Sequence, residues 1–147
     1  MVPCIVKTWL YESGESSVEP VRALRLCAEA CRALDVLHAN DIIHRDVTPG
    51  NLLLSGTANS HTQVLIADLG VAKSMVDAVG ATMTAGTPSY MAPEQAMEPE
   101  AADFRSDMYS LGATFYHAVT GRLPFTGRSR MEMLRKDVPF FLKQAGK

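Results

Sequence analysis

His44-Arg45-Asp46-Val47-Thr48-Pro49-Gly50-Asn51 sets an imidazole, a guanidinium and a carboxylate side by side, with a carboxamide five residues after the carboxylate. Pro49 and Gly50 interrupt any regular helix or strand, so the stretch is a shaped loop. A carboxylate beside a carboxamide suits a proton acceptor next to an oxygen ligand for a hard cation. A second carboxylate stands in Asp68-Leu69-Gly70. Between the two lie the apolar runs Leu52-Leu53-Leu54 and Val64-Leu65-Ile66, separated by a polar turn from Thr57 to Thr62. Two short apolar runs around such a turn predict a β-hairpin, which returns Asp68 to the side of Asn51. Two oxygen ligands on adjacent strand ends, completed by phosphate oxygens and water, describe a Mg²⁺ site.

The flanking elements must hold these loops. Pro20 suits the first turn of a helix, where its missing N–H costs nothing. Leu24, Cys27, Ala28, Cys31, Leu34 and Leu37 then recur at helical spacing, with Arg22, Arg25, Glu29, Arg32 and Asp35 mostly opposite. This predicts an amphipathic helix stopped by a left-handed Asn40. Ile42-Ile43 reads as a short strand entering the loop. Ile5 to Tyr11 reads as a strand, and Glu12 to Glu19 as a loop. Residues 71–92 form a long loop bearing Thr82, Thr84 and Thr87, of the kind that is usually functional. Phe104 to Thr120 predicts a second helix that turns Met108, Leu111, Phe115, Ala118 and Val119 to a core and ends at Gly121. Leu123-Pro124-Phe125 is a turn with two apolar anchors, and Arg128 to Lys136 a short basic helix. Phe140, Phe141 and Leu142 follow with no obvious partner.

The 147 residues, 47% hydrophobic and 20% charged, suffice for one domain with a core. A net charge of -2 makes no case for nucleic acid or an anionic membrane as main partner. No apolar run reaches spanning length, since Tyr109 to Val119 is short and carries His117. Met1 to Leu10 lacks the pattern of a secretory signal, so a cytoplasmic location is expected. Three cysteines exclude a fully paired disulfide framework. Cys27 and Cys31 share a helix face, with His38 the one further metal-ligand candidate there, and read as core thiols.

His44-Arg45-Asp46 with Asn51, Asp68-Leu69-Gly70, Gly86-Thr87-Pro88 running to Ala92-Pro93-Glu94, and Asp107-Met108-Tyr109-Ser110-Leu111-Gly112 together resemble the serine/threonine protein kinases. Pro49-Gly50-Asn51 and Gln95 are similar to the bacterial branch. The resemblance runs from about Pro20 to Lys136. It implies an α+β, mainly helical fold: the lower lobe of a kinase with a short hairpin, the upper lobe largely absent. Residues 1–19 would be a remnant strand and loop. Residues 20–147 would be an incomplete lobe, with the catalytic loop at 44–51 and the activation segment at 68–94.

The resemblance further implies roles. Asp46 would take the substrate hydroxyl proton, with Thr87 bonded near it. Asn51 and Asp68 would hold Mg²⁺ against the ATP phosphates, and Leu53 would floor the adenine. Arg45 would dock a phosphate on Thr82 or Thr84. His44 and Leu69 would stack in the core coupling the lobes, and Asp107 would hold the catalytic loop from below. Gly86 to Met91 would receive the substrate residue after the phosphoacceptor. The implied partners are ATP, a Ser/Thr-bearing protein and a complementary upper lobe.

The sequence also departs from the family. Thr48 stands where a phosphoryl-contacting Lys is usual, and Leu69 replaces the commoner Phe. The Gly-rich loop, the strand lysine and its partner glutamate are not found, nor is the Arg that normally pairs with Glu94. A non-catalytic interaction module and a gene fragment are the alternative expectations.

Overall fold

The computed structural model describes residues 4–5, 18–55, 63–69, 73–74 and 89–125. In chain order these form β1 (Cys4–Ile5), α1 (Pro20–His38), β2 (Ile42–Ile43), β3 (Leu52–Ser55), β4 (Gln63–Ile66), β5 (Lys73–Ser74), α2 (Pro93–Met97), a 3₁₀ turn (Pro99–Ala101) and α3 (Phe104–Thr120). The fold is α+β and mainly helical, as the resemblance implied.

α1 begins at Glu19, whose carboxylate accepts from the backbone N–H groups of Val21 (3.0 Å) and Arg22 (2.9 Å). These two bonds hold the Glu19 carboxyl below its ordinary range. Pro20 occupies the first turn, as expected. The buried stripe of α1 is Ala23, Leu26, Ala30 and Leu34, with Cys27, Cys31 and Leu37 partly buried beside it. This corrects the expected face at two positions. Leu24 is 70% exposed and Ala28 is also exposed. Each lies two residues from Leu26, about 160° around the helix. The helix stop also differs. Ala39 caps α1 in right-handed geometry, and the left-handed residue is Asp41 at φ 57°. Asn40 instead donates its side-chain N–H to the Val36 carbonyl at 2.8 Å.

The hairpin forms with Leu52 opposite Ile66, Leu53 opposite Leu65 and Leu54 opposite Val64. β1 adds an antiparallel strand on the other side of β3. Alternation sends Leu52, Leu54 and Val64 into the core, and leaves Leu53 and Leu65 paired on the opposite face. The remainder of the expected strand Ile5 to Tyr11 lies outside the described residues, as do residues 126–147 with the expected basic helix and apolar tail. β2 pairs with β5, a partner the sequence did not announce.

Leu26, Ala30, Leu34, Val47, Leu52, Leu54, Val64 and Leu111 form one core between α1, the hairpin and α3. Burying a side chain such as Leu34 stabilises the fold by about 1.5–3 kcal/mol. α3 has the expected ends, with Gly121 left-handed at φ 66° and donating to the His117 carbonyl. Its buried side differs from expectation. Met108 is 44% exposed, while Ser106, Asp107, Ser110 and Thr114 are buried beside Leu111, Ala113 and Ala118. Much of the inward face is polar because it serves the His44–Asn51 loop rather than the apolar core.

Candidate active site

The loop from His44 to Asn51 is fixed from four directions. From α3, the fully buried Asp107 accepts from the His44 N–H through Oδ2 (2.9 Å) and from the Arg45 N–H through Oδ1 (2.8 Å). Thr114, also on α3, donates its hydroxyl to the Val47 carbonyl at 3.0 Å. From α2, Gln95 donates to the Arg45 carbonyl at 2.7 Å. From α1, the His38 ring reaches Asp107 Oδ2 at 2.8 Å. A carboxylate only accepts, so His38 donates its Nε2–H. From the end of β4, the Ala67 carbonyl meets His44 Nε2 at 3.0 Å.

These bonds account for an unfavourable backbone. Arg45 sits at φ 69°, a left-handed conformation that costs a non-glycine residue about 1–2 kcal/mol. Its N–H and C=O are both held by buried side chains, so the surroundings over-determine it. The Arg45 side chain is 8% exposed, and its Nε has no hydrogen-bond partner among the described residues. Burial pushes the guanidinium down from its usual value, while the Asp107 charge pulls it back up.

His44 is fully buried and links the two carboxylate-bearing segments. Donation from Nε2–H to the Ala67 carbonyl leaves Nδ1 as an acceptor, and the Asp46 N–H points at it from 3.3 Å. One tautomer therefore joins the residue before Asp68 to the backbone of Asp46. The hairpin makes a second link, since the Ala67 N–H donates to the Asn51 carbonyl at 2.8 Å. Asp68 follows, exposed and at φ 64°.

Asn51 is oriented by Asp46. Its Nδ2 donates to the Asp46 carbonyl (2.8 Å) and to Asp46 Oδ2 (3.0 Å). Both amide protons are thereby directed at Asp46, and the amide oxygen is what Asn51 can offer to a cation. Thr48, Pro49 and Gly50 make the intervening turn, closed by Asn51 N–H to the Thr48 carbonyl at 3.0 Å. Thr48 is itself buried at 7% exposure.

Asn51 and Asp68 offer oxygen atoms, the donors that Mg²⁺ takes. Among the described residues no group of three or more His, Cys, Asp or Glu side chains could hold a metal ion. Two protein oxygen ligands suit a cation that keeps water and phosphate in its remaining positions.

Other expected residues are less tightly drawn in. Leu53 is half-buried on the face away from the core, and Leu69 is 49% exposed. Glu94, near the start of α2, accepts from the buried Ser106 hydroxyl at 2.8 Å, a partner not foreseen. Thr82, Thr84 and Thr87 lie outside the described residues. Cys27 and Cys31 are free thiols, partly buried. Burial and the neighbouring Cys31 push the Cys27 thiol up. His38, considered as their companion, faces Asp107 instead.

His38, Gln95, Ser106 and Thr114 were not picked out for these contacts by the sequence. The signal available was polar residues recurring on the apolar side of a helix: Asp107, Ser110 and Thr114 lie at i, i+3 and i+7.

A model of the protein kinase domain matches residues 6–144. Serine/threonine-protein kinase PknB of Mycobacterium leprae is 39% identical over 127 residues, covering 84% of this chain and 20% of that protein. PknB of Mycobacterium tuberculosis is 41% identical over 128 residues, again 84% of this chain and 20% of the relative. PknA of Mycobacterium tuberculosis is 43% identical over 119 residues, 79% of this chain and 26% of the relative. The chain thus spans about a fifth to a quarter of the length of these relatives. With the family match extending over most of its length, the chain belongs to the protein kinase domain family, among relatives that are serine/threonine kinases.

Proposed function

We propose that this chain carries the phosphoacceptor side of a serine/threonine protein kinase, acting on ATP–Mg²⁺ and a protein hydroxyl. The observation that supports the reading best is the Asn51–Asp46 pairing on a loop clamped by Asp107. It sets a proton acceptor and an oxygen ligand in fixed relation.

Asp46 is the base: its Oδ2 accepts from Asn51, which fixes the carboxylate plane, and the second oxygen is the one that meets the substrate hydroxyl. The amide oxygen of Asn51 and the carboxylate of Asp68 are the cation ligands. Mg²⁺ held there supplies charge neutralisation on the phosphates. Leu53, on the outward face of β3, lies under the adenine ring. Arg45 receives a phosphate carried on Thr82 or Thr84. Thr87 bonds near Asp46, and residues 86–91 receive the substrate chain.

Transfer by the 147 residues alone is slow. Thr48 supplies no cation to the moving phosphoryl group, and loss of one preorganised donor typically costs about 10²–10³ in rate. A complementary upper lobe raises the rate, docking over the face on which Leu65 and Leu69 are exposed. Among the described residues no helix is long and apolar enough to cross a membrane.

The test is γ-phosphate transfer to a generic basic protein, run with and without a separately supplied kinase upper lobe. Asp46→Asn should abolish transfer while leaving ATP–Mg²⁺ binding within about threefold. Transfer that survives Asp46→Asn refutes the assigned base. ATP–Mg²⁺ binding unaffected by Asp68→Asn refutes the assigned cation site.

A further inference from the structure

We propose that Cys27 and Cys31 form a dithiol site on α1 that captures a monosubstituted trivalent arsenical through both sulfurs. The proposal rests on no part of the kinase reading. Both thiols are free and partly exposed, so both can be reached from solvent. They stand four residues apart in the middle of a 19-residue helix. Positions i and i+4 are neighbours on one helix face, with Cβ atoms about 5–6 Å apart. Both side chains pack against the core that holds Leu26, Ala30 and Leu34, which limits the directions they can take. The two sulfurs come within hydrogen-bonding reach of one another.

The separation selects what can join them. A disulfide needs its Cβ atoms about 3.5–4.5 Å apart, closer than an intact helix brings them. One interposed soft atom closes the gap, with bonds to thiolate sulfur of about 2.3 Å each, the length found in zinc sites. The donor count narrows the choice further. Among the described residues no third His, Cys, Asp or Glu completes a metal-holding group with the pair. His38, seven residues beyond Cys31, directs its ring Nε2–H at Asp107 instead. A tetrahedral zinc site therefore lacks two of its ligands among the described residues. A monosubstituted trivalent arsenical needs two sulfurs only, because it carries its third substituent with it.

The helix also offers that substituent a seat. The exposed Leu24 lies three residues before Cys27, and the exposed Ala28 three before Cys31. Residues three apart adjoin on a helix surface, so an apolar strip borders the thiols on their solvent side. An aryl group on arsenic lies along it. The reaction balances without redox. When an arsine oxide is captured, two As–S bonds form and the As–O bond breaks. The oxygen leaves as water with the two thiol protons, and arsenic stays trivalent. Burial and the neighbouring Cys31 raise the Cys27 thiol, which slows reagents that make a single bond to it. A reagent that takes both sulfurs gains from the second, held at high effective concentration beside the first.

The probe is phenylarsine oxide, titrated into the full, reduced 147-residue chain and followed by intact mass. Wild type should take up one phenylarsenic group, resistant to excess monothiol and removed by a dithiol such as 2,3-dimercaptopropanol. Cys27→Ser and Cys31→Ser should each weaken capture about 100-fold or more, and Cys4→Ser should leave it within about threefold. In unfolding urea, capture by wild type should fall about tenfold, since the pair then loses its helical spacing. Capture retained in either serine variant, capture lost in Cys4→Ser, or equal capture by the unfolded chain overturns the proposal. Should a serine variant not fold, Cys27→Ala and Cys31→Ala take its place with the same outcomes.

Discussion

Replacing Asp107 by Asn tests how the loop is held, because the change is nearly isosteric and its cost follows from counted bonds. The carboxylate takes two hydrogen bonds on Oδ2 and one on Oδ1. The amide keeps one oxygen. With that oxygen at the Oδ2 position it still accepts from His44 and His38, but its NH₂ confronts the Arg45 N–H, donor against donor. The other orientation loses two bonds, so the first is adopted. A bond to a charged acceptor contributes about 1.5–3 kcal/mol, and the two survivors fall to about half on losing the charge. The sum is about 3–6 kcal/mol, a large part of the 5–15 kcal/mol typical of a whole domain. With a denaturant slope of about 2 kcal/mol/M, the urea midpoint should fall by about 1.5–3 M. The control is Asp103→Asn. Asp103 is an N-cap carboxylate paired with the exposed Arg105, and Asn caps a helix equally well. It should cost less than about 0.5 kcal/mol. An Asp107→Asn midpoint no lower than that of Asp103→Asn would refute the claim that this carboxylate holds the loop.

Further outcomes follow from the same geometry. Thr48→Lys should raise the transfer rate about 10²-fold by restoring a cation at the phosphoryl group; an unchanged rate with ATP binding intact removes Thr48 as the cause of slow turnover. Leu26→Ala should cost about 2–5 kcal/mol in urea unfolding, and Leu24→Lys less than about 0.5, since only the first faces the core; equal costs would restore the helix face first read from the sequence. Burial pushes the His117 imidazole below its ordinary 6.5. The unfolded chain therefore binds the proton first as pH falls, so this contribution to stability is complete above about pH 6.5 and is lost as pH drops through the folded value. His117 Nδ1 also meets the Tyr90 hydroxyl at 2.8 Å. His117→Gln should flatten the acid limb of the urea midpoint, and an unchanged limb excludes this group. The raised Cys27 thiol should alkylate slowly in the folded chain near pH 8 and faster in urea.

The hairpin was readable from sequence because two apolar runs around a polar turn have few other solutions. Its register then delivers Asp68 beside Asn51 without further information. The limits of α3 were equally clear, since Gly121 is left-handed where the periodicity ends. The faces of the helices were less legible. On α1, Leu24 and Ala28 joined the apolar repeat but lie opposite Leu26, and hydropathy alone could not choose between two overlapping stripes. On α3, hydropathy favoured Met108, whereas the buried positions are Asp107, Ser110 and Thr114. A polar side chain goes inside when a backbone group waits for it, and the sequence does not say where unpaired N–H and C=O groups will fall. The same reason hid Gln95, whose target is the Arg45 carbonyl fifty positions away. His38 read as a thiol's neighbour because helix spacing reports its own helix and not the Asp107 carboxylate across from it.

The bonds around the His44–Asn51 loop bear on the proposed chemistry unevenly. Among the described residues, α2, α3 and the end of β4 bond directly to the His44–Asn51 loop, and α1 reaches it through Asp107. On the proposed reading, Asp46 and Asn51 stand in fixed relation before nucleotide arrives. On the same reading, Thr48 brings no charge to the phosphates. A supplied upper lobe should thus act mainly on ATP affinity and phosphate charge, leaving amide hydrogen exchange at His44 and Arg45 unchanged. If instead the lobe slows exchange at those two amides, the loop is shaped on docking, and preorganisation by Asp107 is the wrong account.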